Sequence, residues 1–157
     1  MYKVKSNGKS EIVIKNSKFI GLIYPIETED DIKRILTNLK ELYKRVVFNV
    51  AINNTDDHLR NHGFIFNKNG WTLSPAFDLT IGIHNKNHVL KIDETHTSLS
   101  LKEVAKLYKK FRLSELEAQE IISKTVSVIK ENFDNYCHKY SLKNNEIEML
   151  KKHFVLE

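Results

Sequence analysis

A chain of 157 residues with 41% hydrophobic and 29% charged residues has the length and composition of one globular domain, with or without a small appendage. No apolar run is long enough to span a bilayer, so no membrane association is predicted. A single cysteine, Cys137, excludes an intramolecular disulfide and, with the lack of a secretory signal pattern, predicts a cytoplasmic protein. The net charge of +5 is spread over helix faces rather than clustered among aromatic residues, so direct nucleic-acid binding is not predicted.

The first part of the chain predicts a hairpin followed by a helix. Alternating apolar and polar residues indicate a β-hairpin over residues 11–24. Thr28 and Asp31 have the spacing of a capping box at the start of a helix. Apolar residues then recur every three or four positions, which predicts one long amphipathic helix that ends near Ile52. Its apolar face consists of Ile32, Ile35, Leu36, Leu39, Leu42, Tyr43, Val46, Val47 and Val50.

A polar loop over residues 53–62 follows this helix. A second hairpin is predicted over residues 64–73, because two short apolar segments flank a turn of Asn67, Lys68, Asn69 and Gly70. Residues 79–92 are predicted to form a loop with a short strand at His88–Ile92.

The rest of the chain is predicted to be helical. Ser100 with Glu103 and Ser114 with Glu117 form two capping boxes, each at the start of a helix, and a last short helix covers residues 146–154. The apolar faces of these three helices are Leu101, Val104, Leu107 and Phe111; Leu116, Ile121, Ile122, Val126, Ile129 and Phe133; and Ile147, Leu150 and Phe154.

Three polar side chains have the spacing expected for phosphoryl transfer. Asp56 and Asn61 are five positions apart and Asp78 follows seventeen positions later, as do the catalytic aspartate and two magnesium ligands of protein kinases. Magnesium takes hard oxygen ligands, so an amide and a carboxylate suit it. We therefore predict that Asp56 orients and deprotonates a hydroxyl group, while Asn61 and Asp78 bind magnesium.

The neighbouring residues are interpreted as structural. Asp57 is taken as an ordinary loop acid, and Asn53 and Asn54 as caps of the helix end, because asparagine and aspartate commonly close turns. Trp71 and Phe77 are interpreted as core residues rather than as residues that stack on a base.

The histidines leave a metal-site interpretation open. His58 and His62 are four positions apart, as are His84 and His88, which is the spacing of zinc ligands on a helix. Both pairs fall in predicted loops, however, and the first pair lacks the glutamate of the H-E-x-x-H motif. The alternative site, a metal-dependent hydrolase centre, would consist of Asp56, His58 and Asp78.

Residues 45–157 resemble the C-terminal lobe of HipA-family serine/threonine kinases, the toxins of bacterial toxin–antitoxin pairs. The resemblance rests on residues 47–50, 54–64 and 70–79, which look like that family's catalytic and magnesium loops. It implies an α+β fold in which an N-terminal β-hairpin and helix join a mainly α-helical, kinase-like lobe. A short hairpin in that lobe would carry the two loops.

The same resemblance implies roles for residues, cofactors and partners. Asp56 matches the catalytic aspartate, and Asn61 and Asp78 match the metal ligands. His58 is a candidate cofactor-binding residue beside Asn61 and Asp78, with a structural role that orients the loop by hydrogen bonds as the alternative. The implied cofactors are ATP and Mg²⁺, and the implied substrate is a protein with a serine or threonine hydroxyl. An antitoxin partner would provide indirect contact with DNA, and the implied outcome is growth arrest through blocked translation.

The residues before the match depart from the family's pattern. The family carries an N-terminal lobe with a phosphate-binding loop and an ATP-contacting lysine, whereas the five glycines of this chain form no Gly-rich loop. We therefore expect weak or no phosphoryl transfer from this chain alone. Residues 14–20 and 25–29 instead resemble the opening of the YigZ/IMPACT family, which is linked to translation control. The predicted domains are accordingly residues 1–44 and 45–157.

Three functions follow from these features. The first is a HipA-like serine/threonine kinase. The alternative is a non-catalytic binding module that contacts an antitoxin or a translation-related partner. The third and weakest is a translation-associated regulator that uses the N-terminal segment.

Overall fold

The computed structural model describes residues 8–14, 17–23, 28–68, 70–83, 87–89 and 100–157, with side chains from residue 28 onward. The chain divides into two compact units, Met1–Ile35 and Leu36–Glu157. The elements are mixed but mainly helical, which confirms the predicted α+β class. The predicted domains 1–44 and 45–157 stay a prediction. Within the described ranges, no helix has both the length and the apolar character needed to cross a bilayer.

The first unit contains the predicted N-terminal hairpin. Strands β1 (Gly8–Ile14) and β2 (Ser17–Ile23) pair in antiparallel register, with Gly8 opposite Ile23 and Ile14 opposite Ser17. Lys15 and Asn16, the two residues between the strands, lie outside the described residues.

Helix α1 (Glu29–Ala51) begins at the predicted capping box. The Thr28 amide donates to the Asp31 carboxylate at 3.1 Å, and the Asp31 amide donates to Thr28 Oγ1 at 3.1 Å. Acidic side chains in this first turn also stabilise the positive end of the helix dipole. The helix ends one residue before the predicted Ile52. Its predicted apolar face is wrong at its start, where Ile32, Ile35 and Leu36 are exposed.

The core of the second unit forms around the C-terminal half of α1. Tyr43 is fully buried, its hydroxyl donates to the Val104 carbonyl at 3.3 Å, and its ring packs on Phe111 with centroids 5.1 Å apart. Burial raises the pKa of Tyr43 to about 12. The other buried apolar residues of this cluster are Val46, Val47, Val50, Ala51, Ile52, Leu101, Val104, Ala118, Ile121 and Ile129.

The predicted helix from Leu101 to Phe111 is wrong in its length. The chain forms a short helix α2 (Leu101–Ala105) and then a separate 3₁₀ turn (Tyr108–Phe111). The break follows from the Lys106 amide, which bonds the Glu103 carbonyl three residues back and so tightens the last turn of α2. The 3₁₀ turn ends at Arg112, whose φ of 58° is left-handed.

Two helices complete the second unit, α3 (Glu115–Lys139) and α4 (Asn144–Lys151). The predicted capping boxes at Ser100 and Ser114 are both present. Glu117 of the second box also bonds Lys40 of α1 at 2.9 Å, and these hydrogen bonds, led by those to Ser114, lower the pKa of Glu117 to about 2. Leu116 was predicted to face the core but is 65% exposed, because it points away from Ala118 on the helix circumference.

The C-terminal residues return to the end of α1. The Val155 amide donates to the Ala51 carbonyl at 2.9 Å, and Phe133 of α3 meets Phe154 edge-on at 4.7 Å. Helix α4 begins two residues before the start and ends three residues before the end of the predicted span of residues 146–154. Ile147 is buried, as predicted.

The second predicted hairpin is present and is attached to α1. Strands β3 (Phe64–Asn67) and β4 (Gly70–Leu73) pair in antiparallel register. The Asn38 amide group of α1 donates to the Trp71 carbonyl at 2.9 Å and accepts from the Leu73 amide at 3.3 Å. This side chain therefore sets the position of β4, and with it the start of the segment that leads to Asp78.

Candidate functional site

The loop that carries Asp56 begins at a tightly capped helix end. After α1 ends at Ala51, Asn53 adopts a left-handed backbone with φ of 55°, a conformation that asparagine tolerates at the end of a helix. The Asn54 amide then donates to the Asn49 carbonyl at 2.7 Å. Asn53 and Asn54 thus cap the helix end, as predicted.

Backbone hydrogen bonds join this loop to the segment around Gly82. The Gly82 amide donates to the Asn53 carbonyl at 2.9 Å, and the Asn53 side chain donates to the Gly82 carbonyl at 2.9 Å. Further along, the Val89 amide donates to the Thr55 carbonyl at 2.9 Å. The predicted strand at His88–Ile92 is wrong for its described residues: neither His88 nor Val89 is in a strand, and the Val89 amide bonds the loop instead. Residues 90–92 lie outside the described part.

Asn54 connects the loop to Asp78. Its side chain is almost completely buried, bonds Asn49 Oδ1 at 3.0 Å, donates to the Asp78 carbonyl at 3.4 Å and accepts from Thr80 Oγ1 at 3.2 Å. Asp56 follows Asn54 by two residues, and two residues of chain reach at most ~7 Å. The structure therefore brings the backbones of Asp56 and Asp78 into one region, although 22 positions separate them in sequence.

Asp78 has an unusual backbone conformation. Its φ of 57° is left-handed, a region that costs most residues about 1 kcal/mol or more but that aspartate tolerates better. The bond from Asn54 to its carbonyl holds this conformation, and the Asp78 side chain is exposed. Such local strain occurs often at functional positions.

Asn61 lies shortly before the hairpin whose second strand leads to Asp78. It ends a 3₁₀ turn (Leu59–Asn61), its amide bonds the His58 carbonyl at 2.9 Å, and its side chain is buried. Two residues later, the Gly63 carbonyl accepts from the Ser74 amide at 2.9 Å, which continues the pairing of β3 and β4. The chain therefore enters the hairpin after Asn61 and leaves it towards Asp78 at the same end, the one opposite the turn.

Asp57 differs from its predicted role as an ordinary loop acid. It is buried, and its Oδ1 lies 2.9 Å from Nε2 of His62, which is also nearly inaccessible. Burial lowers the pKa of the neighbouring His88, and the charge of Asp57 opposes that shift. A buried carboxylate needs such partners, so Asp57 anchors the loop from the inside while the adjacent Asp56 is exposed.

His58 follows Asp57 in the chain and has a ring nitrogen without a hydrogen-bond partner among the described residues. This nitrogen, Nδ1, is shielded from solvent. The zinc interpretation gains no support, because His62 bonds Asp57 and the described residues contain no group of three His, Cys, Asp or Glu side chains that could hold a metal ion. His84 lies outside the described residues.

Two aromatic residues predicted to be core are at the surface. Trp71 is 40% exposed and Phe77 is 47% exposed. Trp71 packs on Phe66 with ring centroids 5.2 Å apart, so the two strands of the hairpin cover each other's rings rather than a core. Phe77 lies within 3.7 Å of the position that a Cβ atom on Gly63 would take, so it borders the Asn61 end of the hairpin.

The comparison with protein families identifies the family of this chain. The family model for the HipA-like C-terminal domain matches residues 23–133, which is more than half of the chain. The chain therefore belongs to the HipA-like C-terminal domain family, as the resemblance of residues 45–157 predicted. A comparison with curated proteins finds no match. The YigZ/IMPACT resemblance of the first residues gains no support and stays a prediction.

Proposed function

We propose that this chain is a HipA-like serine/threonine protein kinase lobe that transfers a phosphoryl group from ATP to a protein hydroxyl. The observation that carries the proposal is the bond from Asn54 to the Asp78 carbonyl at 3.4 Å. It joins the loop of the candidate base to the candidate metal ligand. Membership of the HipA-like family supports the same reaction and a toxin–antitoxin setting.

The donor set suits Mg²⁺. Asp78 offers an exposed carboxylate and Asn61 an amide oxygen, and no larger set of acidic or histidine ligands is present among the described residues. Mg²⁺ commonly takes one or two protein ligands and fills its other positions with water and phosphate oxygens. When bound, Mg²⁺ would offset the negative charge on the phosphates of ATP.

The remaining roles fall to the loop. Asp56 is exposed, so its carboxylate can orient an acceptor hydroxyl and take its proton. Asp57 and His62 hold the backbone behind Asp56 in place, which keeps the base in a fixed position. His58, whose shielded Nδ1 has no hydrogen-bond partner among the described residues, keeps its predicted assignment to the cofactor site.

The proposal is tested by radiolabelled phosphoryl transfer from ATP in the presence of Mg²⁺. We expect Asp56→Asn and Asp78→Asn each to reduce transfer about a hundredfold or more, because each removes a group that acts in the transition state. The matched control is Asp30→Asn, the same chemical change at an 87% exposed side chain in the first turn of α1. Measurable transfer that is equal in all four proteins would refute the proposed roles of Asp56 and Asp78. No nucleotide binding by calorimetry would refute kinase activity of this chain on its own, for which only weak transfer is expected.

A non-catalytic binding module is the second candidate. The observation in its favour is the apolar surface of the hairpin, where Phe64 is 52% and Phe66 is 68% exposed, next to Trp71. Contiguous apolar surface of this kind marks protein contacts, here with an antitoxin or a translation-related protein. Partner binding that Asp56→Asn leaves unchanged, together with absent transfer, would favour this function.

A further inference from the structure

A row of exposed cations lies on the segment formed by α2 and the 3₁₀ turn that follows it. The net charge was predicted to be spread over helix faces, but this segment concentrates five exposed basic side chains between residues 102 and 112. None of the five forms an ion pair with a described residue. The basic row consists of Lys102, Lys106, Lys109, Lys110 and Arg112.

The backbone of the segment aligns most of the row. Lys106 follows α2 with a right-handed helical backbone, so Lys102 and Lys106, four positions apart, lie on one face. From there the Lys106 and Arg112 amides each bond the carbonyl three residues back, and residues three apart are eclipsed in such a helix. Lys109 therefore continues the face of Lys106, and the backbone of Arg112 comes one turn further along.

The apolar residues of the same segment turn the row towards solvent. Leu101 and Val104 are buried, and Tyr108 and Phe111 pack against the same core. Between residues 101 and 113, all of which the structure describes, no large apolar side chain is exposed. The face of the segment that solvent reaches is therefore polar and positively charged.

Two acidic side chains near the row leave its charge uncompensated. Glu103 is bound in the capping box at the start of α2. Glu115 lines a cavity of about 230 Å³ together with Lys106 and Lys109, but it forms no ion pair with either. Like charges four positions apart, as in Lys102 and Lys106, destabilise a helix. An anionic partner would relieve this repulsion.

We propose that the basic row binds the phosphate backbone of double-stranded DNA without sequence preference. Interfaces with DNA are more polar and more positively charged than those between proteins. The core of a protein interface and the inserted face of a membrane-bound helix are apolar, and this face has no such surface. The proposal goes beyond the proposed kinase function and does not depend on it.

Other nucleic acids fit the row less well than duplex DNA. Proteins that bind a single strand stack its bases on aromatic rings, whereas Tyr108 is partly buried and the Lys109 Nζ lies 5.7 Å from the centre of its ring. Duplex RNA is recognised largely through its 2′-hydroxyl groups. Residues 102–112 contain no serine, threonine, asparagine or glutamine that could bond them.

The length of the row sets the number of phosphates that it can contact. An α-helix rises about 1.5 Å and a 3₁₀-helix about 2.0 Å per residue, so the steps from Lys102 to Arg112 are about 6 Å each and about 18 Å in total. One DNA strand carries a phosphate about every 3.4 Å along the axis, so the row spans about five base pairs. We therefore expect about four phosphate contacts, and each should contribute about −0.9 to the slope of log K against log salt concentration.

The proposal is tested by fluorescence anisotropy of the full chain with a fluorescein-labelled, mixed-sequence DNA duplex. The dissociation constant should rise about a hundredfold between about 50 and 200 mM NaCl, which corresponds to four contacts. A second duplex of unrelated sequence should bind equally, and the single strand more weakly. Phosphatidylserine vesicles, poly-glutamate and duplex RNA of the same sequence are measured as competitors at equal charge concentration.

Matched pairs of substitutions locate the site. Lys106→Gln combined with Lys109→Gln should raise the dissociation constant at least about tenfold at low salt and reduce the salt slope by about 2. The control, Lys124→Gln combined with Lys139→Gln, makes the same charge change at two exposed lysines of α3 outside the row. It should change the dissociation constant by less than about threefold. Circular dichroism of each variant checks that the fold is retained.

Four results would overturn the proposal. The first two are undetectable binding of the duplex at low salt and binding that does not depend on salt. The third is equal weakening by the two pairs of substitutions, which would reflect net charge rather than the row. The fourth is tighter binding of the RNA, the vesicles or poly-glutamate than of the DNA, which would assign the row to another class of partner. Phosphoryl transfer is not part of this test, so its absence refutes only the kinase proposal.

Discussion

Gly82→Ala is the substitution that most directly tests the packing of the candidate site. The Gly82 backbone exchanges two hydrogen bonds of 2.9 Å with Asn53. A Cβ atom on Gly82 would overlap the Asn53 carbonyl oxygen and lie 2.7 Å from Thr55 Oγ1 and 3.1 Å from Thr55 Cγ2. The carbonyl cannot move aside without losing its bond to the Gly82 amide, so the alanine must push the two segments apart.

The expected loss of stability combines two effects. Overpacking of this kind costs about 1–3 kcal/mol, and each broken hydrogen bond about 1 kcal/mol, so we expect the free energy of unfolding to fall by about 3 kcal/mol. Urea denaturation followed by circular dichroism measures it. In the control, Gly63→Ala, the new Cβ would lie 3.3 Å from Ser74 Oγ, which can rotate, and the loss should stay below about 1 kcal/mol. Equal losses in the two variants would refute the close approach of Gly82 to the loop.

Two further predictions concern buried titratable groups. Burial raises the pKa of Tyr43 from its ordinary value near 10.0 to about 12, so its contribution to stability is complete below pH 10 and is lost as the pH rises to 12. The loss amounts to about 3 kcal/mol. Tyr43→Phe should remove this alkaline loss, and urea denaturation at several pH values would detect it. Burial lowers the pKa of His88 from 6.5, and the charge of Asp57 partly offsets this shift. The contribution of His88 to the free energy of unfolding is therefore complete above pH 6.5 and is lost as the pH falls towards the lowered pKa. Asp57→Asn should lower the His88 pKa further, and an NMR titration that gives an unchanged or higher value would contradict this.

The helix boundaries were predictable because their causes are local. Thr28, Ser100 and Ser114 each meet an acidic residue three positions later, and this spacing alone determines where the capping box forms. The periodic apolar face of α1 likewise identifies a helix wherever it packs. The break after Ala105 was not predictable in the same way, because the apolar spacing of Leu101, Val104 and Phe111 continues across it.

Several apolar residues of the second unit were predicted to be buried but are exposed, because burial depends on tertiary contacts that the spacing of apolar residues does not determine. Leu116 satisfies the helical pattern but points away from Ala118 on the circumference of α3, and it is exposed. Trp71 and Phe77 are large and apolar, yet both are exposed: Trp71 packs on Phe66 of the facing strand, and Phe77 lies in the segment that follows the hairpin. In each case the residue type predicted a core position, and the tertiary arrangement decided otherwise.

The candidate site shows the same division between local and distant causes. The spacing of Asp56 and Asn61 lies within one loop and was recognisable in the sequence, but the approach of Asp78 depends on Asn54, a residue assigned only to capping. Its amide caps the end of α1 and its side chain holds the Asp78 carbonyl, so one asparagine fixes both the start of the loop and the left-handed backbone of the candidate metal ligand. The buried side chain of an asparagine has four hydrogen-bonding positions, so it can join segments that are distant in sequence. The sequence pattern indicates only the local capping bond of Asn54 and not its bonds to the segment around Asp78.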